Sequence, residues 1–170
     1  MKIIPNVLSE DLISSCRREV DRRVARNETC WISSTVDWPQ NLKEGIRGSC
    51  LSSPTSHHIN KNIIKEISPH LPHRVNKINT RYNIWQYDSG IAMHDDGDKV
   101  FGATIYMNYE WHPNGGGWFI WEDKNDGEWK VFLPTFNTMV LNTAKEHHLV
   151  TPVVSNNKFR TTIQIWGMEK

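Results

Sequence analysis

Apolar residues recur every four positions at Leu8, Leu12, Cys16, Val20 and Val24. That spacing draws one stripe down one face of a helix. Ser9 stands where an N-cap belongs, and Glu10 and Asp11 suit the positive helix end. A second stripe, Ile59, Ile63, Ile64 and Ile67, follows the cap candidates Thr55 and Ser56 and is stopped by Pro69. Between the two, residues 28–54 carry Trp31, Trp38, Pro39, Gly45, Gly48 and Pro54 with no clean period, which predicts a loop or lid of the kind that often carries binding function. From about Arg81 the period shortens. Tyr82 and Ile84, Val100 to Tyr109, Trp118 to Trp121, Trp129 to Leu133, Thr138 to Leu141 and Arg160 to Trp166 read as strands. Turn signals at Asp88-Ser89-Gly90, Pro113 to Gly117, Asp126-Gly127 and Asn156-Asn157 separate them. Many short strands after two helices predict an antiparallel sandwich or jelly roll with the helices backing one sheet.

Composition narrows the class. A chain of 170 residues with 38% hydrophobic and 23% charged positions suits one globular core, so a single domain is expected over residues 1–170. In it, residues 1–80 would give helical support and a lid region, and residues 81–167 the β core. The net charge of +1 supplies no global field for nucleic acid or a membrane surface; neither is expected as a partner. Arg17, Arg18, Arg22 and Arg23 read as a solvated helix face. Three cysteines without metal-site spacing fit a reducing interior. The absence of a long apolar run leaves a cytoplasmic protein as the expectation. Eight tryptophans are many for this length, and large core aromatics account for most of them.

The chemistry begins at Met93-His94-Asp95-Asp96-Gly97. Residues i and i+2 on a strand point to one side, so His94 and Asp96 can meet one ion. His148, just before the last predicted strand, is the candidate third ligand. Its neighbour His147 would point to the opposite face. Two imidazoles and one carboxylate on one face leave three positions of an octahedral iron open. The other histidines compete poorly: His57 and His58 sit at a helix start, His70 and His73 flank prolines, and His112 lies in a turn.

Over roughly residues 81–167 the chain resembles the prolyl 4-hydroxylase branch of the iron(II)/2-oxoglutarate oxygenases. The pieces run in order: Trp85-Gln86-Tyr87-Asp88-Ser89-Gly90, His94-Asp95-Asp96, Tyr106-Met107-Asn108, Gly115-Gly116-Gly117, Val131 through Pro134, His148 through Val153, and Arg160 to Trp166. The resemblance implies a double-stranded β-helix (jelly roll), an α+β but mainly β fold with N-terminal helices packed on one sheet. It implies Fe(II) held by His94, Asp96 and His148, with 2-oxoglutarate and dioxygen as co-substrates. Arg160 would pair with the distal carboxylate of 2-oxoglutarate, a task its planar fork suits. Lys158 competes for that place, but Trp166, six residues beyond Arg160, matches the family's spacing. Tyr106 would add a hydroxyl to the same carboxylate, and Tyr87 would line the co-substrate pocket. The chain departs from the family at Trp118-Phe119, where Glu-Thr is common, and in a gap from His148 to Arg160 about two residues longer. Asp96 itself favours hydroxylation, since the related halogenases lack that carboxylate.

By the same resemblance the reaction is hydroxylation of a C–H bond, first of a prolyl residue in a peptide or protein, and alternatively of a free amino acid or other small molecule. Residues 28–58 and the Tyr109–Trp118 turn would choose the substrate, with Trp31, Trp38, Trp111 and Trp118 lining a cleft. Two rival classes use the same residues differently. One is a non-catalytic β-sandwich that binds peptide or sugar through its tryptophans; the other is a zinc hydrolase, for which Arg160 and Tyr106 have no role.

Overall fold

The computed structural model describes residues 1–38, 40–73, 75–154 and 159–169. These form β1 (Lys2–Ile4), α1 (Glu10–Ala25), β2 (Ile32–Ser33), α2 (Ser34–Asp37), α3 (Gln40–Gly45), β3 (Ile46–Arg47), β4 (Cys50–Pro54), α4 (His57–Ile67), β5 (Lys77–Trp85) and β6 (Gly90–His94). They continue through β7 (Phe101–Tyr106), β8 (Phe119–Glu122), β9 (Trp129–Phe132), β10 (Met139–Asn142), β11 (His148–Val150) and β12 (Arg160–Met168). Two antiparallel sheets result. The larger runs β1-β10-β7-β12-β5-β4-β2 and the smaller β3-β6-β11-β8-β9. This is the mainly β jelly roll expected, with α1 and α4 on the outer face of the larger sheet.

Strand alternation decides what each face of the larger sheet meets. On β5 the even residues Tyr82 and Ile84 join Ile105, Ile163 and Ile165 against the helices, where Leu12, Ile13 and Cys16 of α1 and Ile63 and Ile67 of α4 are also buried. Ile63 and Ile67 are fully buried, each burial stabilising by about 1.5–3 kcal/mol. The odd residues Asn79, Arg81, Asn83 and Trp85 face the other way, into the space between the sheets. There a second cluster holds Tyr106, Phe119, Trp121, Val140 and Val150.

Three expectations change. Residues 28–54 are no irregular loop: they supply two short helices and three strands, and β4 pairs along Cys50–Pro54 with β5. A stretch reading Cys-Leu-Ser-Ser-Pro has too weak a pattern to announce a strand, and only the neighbouring edge of β5 makes it one. The cluster Arg17, Arg18, Arg22 and Arg23 is only half solvated. Arg17 lies 4.0 Å over the Tyr109 ring and donates to the Met107 carbonyl. Arg23 is buried and pairs with Glu19 at 2.7 Å while donating to Ser53 Oγ and the Pro54 carbonyl. Burial by itself would raise the Glu19 carboxyl, but the Tyr82 hydroxyl, Arg23 and Ser56 together hold it below the ordinary glutamate value. Finally, Ser9 does occupy the N-cap of α1 but caps nothing with its side chain; its hydroxyl and N–H donate to Glu66, tying α1 to α4.

The Asn156-Asn157 turn and Lys158 lie outside the described residues. Among the described residues no helix is long and apolar enough to cross a membrane.

Candidate functional site

His94 ends β6 and His148 begins β11, and the two stand opposite each other in the antiparallel register. Their ring centroids are 4.3 Å apart. Each ring is fixed through Nδ1, His94 to the Ala92 carbonyl at 2.8 Å and His148 to the Glu146 carbonyl at 3.0 Å. A carbonyl only accepts, so Nδ1 carries the proton in both rings and each Nε2 keeps its lone pair. Burial, with His148 beside it, pushes the His94 imidazole down to about 4. His94 is therefore neutral at ordinary pH, the state in which imidazole ligates metal. Phe119 stacks on His148, centroids 4.9 Å apart and planes inclined by 17°, so the departure from the family's Glu-Thr puts an aromatic brace against this ring. His147 is exposed, as alternation requires, and so are His57, His58, His70, His73 and His112.

Asp96 lies two residues past the end of β6. Burial raises its carboxyl above the usual range, against His148, the Trp166 indole and Asn142, which favour the charged form. The carboxylate leans toward Trp166 and Asn142, and among the described residues no three ligating side chains close around one point. Asp96 fits its place only because residue 102 has no side chain: a β-carbon there would overlap the carboxylate. Gly102→Ala is expected to displace Asp96 and weaken divalent-metal binding by about 10- to 100-fold, the usual cost of disturbing a ligand's support, with little loss of fold. Titration of Mn(II) followed by electron paramagnetic resonance would check it, and unchanged affinity would remove Asp96 from the ligand set. Asn142, which sequence reasoning missed, clamps the loop behind His148. Its side chain bonds both the Glu146 N–H and the Glu146 carbonyl at 3.0 Å. The available signal was a lone amide closing the apolar run Met139-Val140-Leu141.

A cavity of about 520 Å³ runs from these residues between the sheets. Arg160 lies at the other end, 1% exposed, its guanidinium 5.0 Å from the Tyr106 ring and 5.4 Å from the Trp85 ring. Gly117 makes room for it: a β-carbon there would come within 2.6 Å of Arg160 Cδ. Among the described residues, Arg160 Nε and the Tyr106 hydroxyl have no hydrogen-bond partner. A buried cation and phenol left so are costly, and together they make a receptor for an anion. Burial also raises the Tyr106 phenol, opposed by Arg160, and keeps it a donor.

Tyr87 does not line the cavity; it is 59% exposed. Strand parity would carry it inward, but β5 ends at Trp85 and the chain turns through Asp88 at φ 60°, so Trp85 holds the inward place. Of the four tryptophans expected in a cleft only Trp38 lines it. Trp31 packs against the helical core, while the Trp111 and Trp118 indoles donate to Gly116 and Pro113 carbonyls of their own loop.

Residues 79–168 match the family model described as the 2OG-Fe(II) oxygenase superfamily. No curated protein matches the sequence. Among solved structures the chain is similar to a Pseudomonas putida prolyl-4-hydroxylase at 17% identity and a TM-score of 0.75, covering 99% of this chain and 92% of that one. It is also similar to a prolyl hydroxylase from Trichoplax adhaerens in complex with a hypoxia inducible factor oxygen degradation domain peptide fragment (15% identity, TM-score 0.74, 99% and 83% covered). A third is the non-heme alpha ketoglutarate dependent carbocyclase SnoK from nogalamycin biosynthesis (11% identity, TM-score 0.68, 98% and 78% covered).

Proposed function

Because the chain belongs to the 2OG-Fe(II) oxygenase superfamily, whose members use Fe(II), 2-oxoglutarate and dioxygen, we propose that this dioxygenase hydroxylates a prolyl residue of a peptide or protein. In this reading His94 and His148 offer Nε2 to the iron, Asp96 adds a carboxylate, and Arg160 with Tyr106 holds the far carboxylate of 2-oxoglutarate. The observation that carries it is the meeting of two opposed, Nδ1-protonated imidazoles with a buried guanidinium whose Nε has no partner among the described residues, in one cavity. When bound, the metal would supply activation of dioxygen, one oxygen atom entering the C–H bond as an alcohol and the other entering succinate as 2-oxoglutarate loses carbon dioxide. The protein's share is to orient the ligands, neutralise the co-substrate's charge and keep the cavity dry. A zinc hydrolase would leave Arg160 and Tyr106 without work.

For the substrate, Trp38 and Trp85 meet edge to face with centroids 5.9 Å apart. With Leu42 and Ile91 they give the cavity one apolar wall, which suits a saturated ring. The Pseudomonas and Trichoplax structures, both of prolyl hydroxylases, point the same way. SnoK keeps a small molecule, including a free amino acid, as the second reading. We read residues 1–170 as one catalytic unit, since β1 pairs with β10 and β4 with β5 across the sequence. The test is succinate release by the Fe(II)-loaded protein over proline-containing peptides and free amino acids. A prolyl peptide should raise release several-fold above the substrate-free rate; equal rates with every proline compound would defeat the prolyl assignment.

A further inference from the structure

Tyr106 is one of four residues in a line. Ser52 on β4 faces Asn83 on β5, Asn83 faces Thr162 on β12, and Thr162 faces Tyr106 on β7. All four are buried, and among the described residues the Ser52 Oγ, Asn83 Oδ1, Thr162 Oγ1 and Tyr106 hydroxyl oxygens have no hydrogen-bond partner. Native proteins leave few such atoms, and a band of them crossing four strands is not what a structural core builds. The neighbouring positions show that apolar residues fit the same face, with Cys50 and Trp85 to one side and Val140 on β10.

The band also lies where a charge does. The Arg160 guanidinium sits over the Tyr106 ring and beside Trp85, and Trp85 shares the inward face of β5 with Asn83, two residues away. Directly opposed residues such as Asn83 and Thr162 have β-carbons about 4.5–5.5 Å apart, so both side chains border the place an anion paired with Arg160 would take. Asn83 lines the cavity itself.

We propose that Asn83 is a co-substrate-binding residue, its carboxamide completing, with the Thr162 hydroxyl, the enclosure around the carboxylate that Arg160 holds. This rests on the reading of the cavity as a 2-oxoglutarate site. The amide N–H donates to the carboxylate, and Ser52, without another partner, has a hydroxyl to offer the carboxamide oxygen. The carboxylate can accept from the Thr162 and Tyr106 hydroxyls, and the Ser52 hydroxyl can serve the Asn83 carboxamide oxygen, so each member of the band has a partner of the right kind once the anion is held.

The test is calorimetric titration of 2-oxoglutarate into Mn(II)-loaded protein, with the thermal midpoint of the metal-free, ligand-free protein measured alongside. In Asn83→Leu the dissociation constant should rise about tenfold or more, the loss expected for a hydrogen bond to a charged group. The ligand-free midpoint should stay level or rise, since an unsatisfied polar group has been removed. Asn83→Ser, too short to reach, should lose affinity similarly and guards against a leucine that does not fold. Affinity within twofold of the unaltered protein in either folded variant overturns the proposal. So does a lowered ligand-free midpoint in Asn83→Leu, which would make the carboxamide a structural group. If the unaltered protein binds Mn(II) but not 2-oxoglutarate, the oxygenase reading of the cavity fails first and this assignment falls with it.

Discussion

Alanine in place of His148 is expected to lower turnover by more than about 100-fold, the upper range for losing even an outer partner of a metal ligand. In the proposed site His148 would offer Nε2 to the metal, because its Nδ1–H donates to the Glu146 carbonyl and Phe119 braces the ring face. Alanine removes the donor and leaves both supports standing. The fold should survive, since the helix-backed core on the other face of the larger sheet does not include this residue. Under argon, Fe(II) and 2-oxoglutarate together should give the unaltered protein a weak visible charge-transfer band, and His148→Ala should give none. His147→Ala is the internal control. Its side chain is exposed, so the band should persist. A band retained in His148→Ala, or lost in His147→Ala, would reverse the ligand assignment.

The second large effect belongs to Arg160. Truncating one partner of a buried, hydrogen-bonded charge pair costs about 2–5 kcal/mol, which corresponds to a loss of affinity for 2-oxoglutarate of roughly 30- to several thousand-fold. The ligand-free protein should respond in the opposite sense. There Arg160 is 1% exposed, with Nε unpartnered among the described residues, so Arg160→Met, which keeps an unbranched apolar stem and drops the charge, should match or exceed the original thermal stability. In the unaltered Mn(II)-loaded protein, 2-oxoglutarate at about a hundred times its dissociation constant should add about 2.7 kcal/mol of stability; in Arg160→Met the same concentration should add almost nothing. An equal ligand-induced rise in both proteins would show that the anion sits elsewhere. A large fall in ligand-free stability would show that Arg160 is a structural ion.

Much of this was legible before the fold was known. The four-residue period of α1 and α4, the switch to short strands and the turn signals before residue 128 depend on local backbone preference, and the structure reproduces them. Errors fall where neighbours override local preference. Strand β4 carries two serines, and β5 begins at Lys77, before its apolar pattern becomes clear. Arg23 looked solvated because charge usually is, until Glu19, Ser53 and Pro54 closed around it. Tyr87, which the resemblance puts in the co-substrate pocket, is exposed because β5 ends at Trp85 and the turn through Asp88 breaks the alternation.

The candidate site divides along the same line. The sequence alone determined the chemical inventory: two histidines and an aspartate in a recognisable order, an arginine six residues before a tryptophan, and glycines between. These are properties of residue type and spacing, and they survive any detail of packing. Only the tertiary structure decided which atoms are free. That His94 and His148 keep Nε2 open, that Gly102 leaves room for Asp96, and that Ser52, Asn83, Thr162 and Tyr106 align across four strands follow from register between residues as far apart in sequence as Asn83 and Thr162. Register is set by pairing and burial summed over whole sheets, and no local stretch of the chain carries that sum.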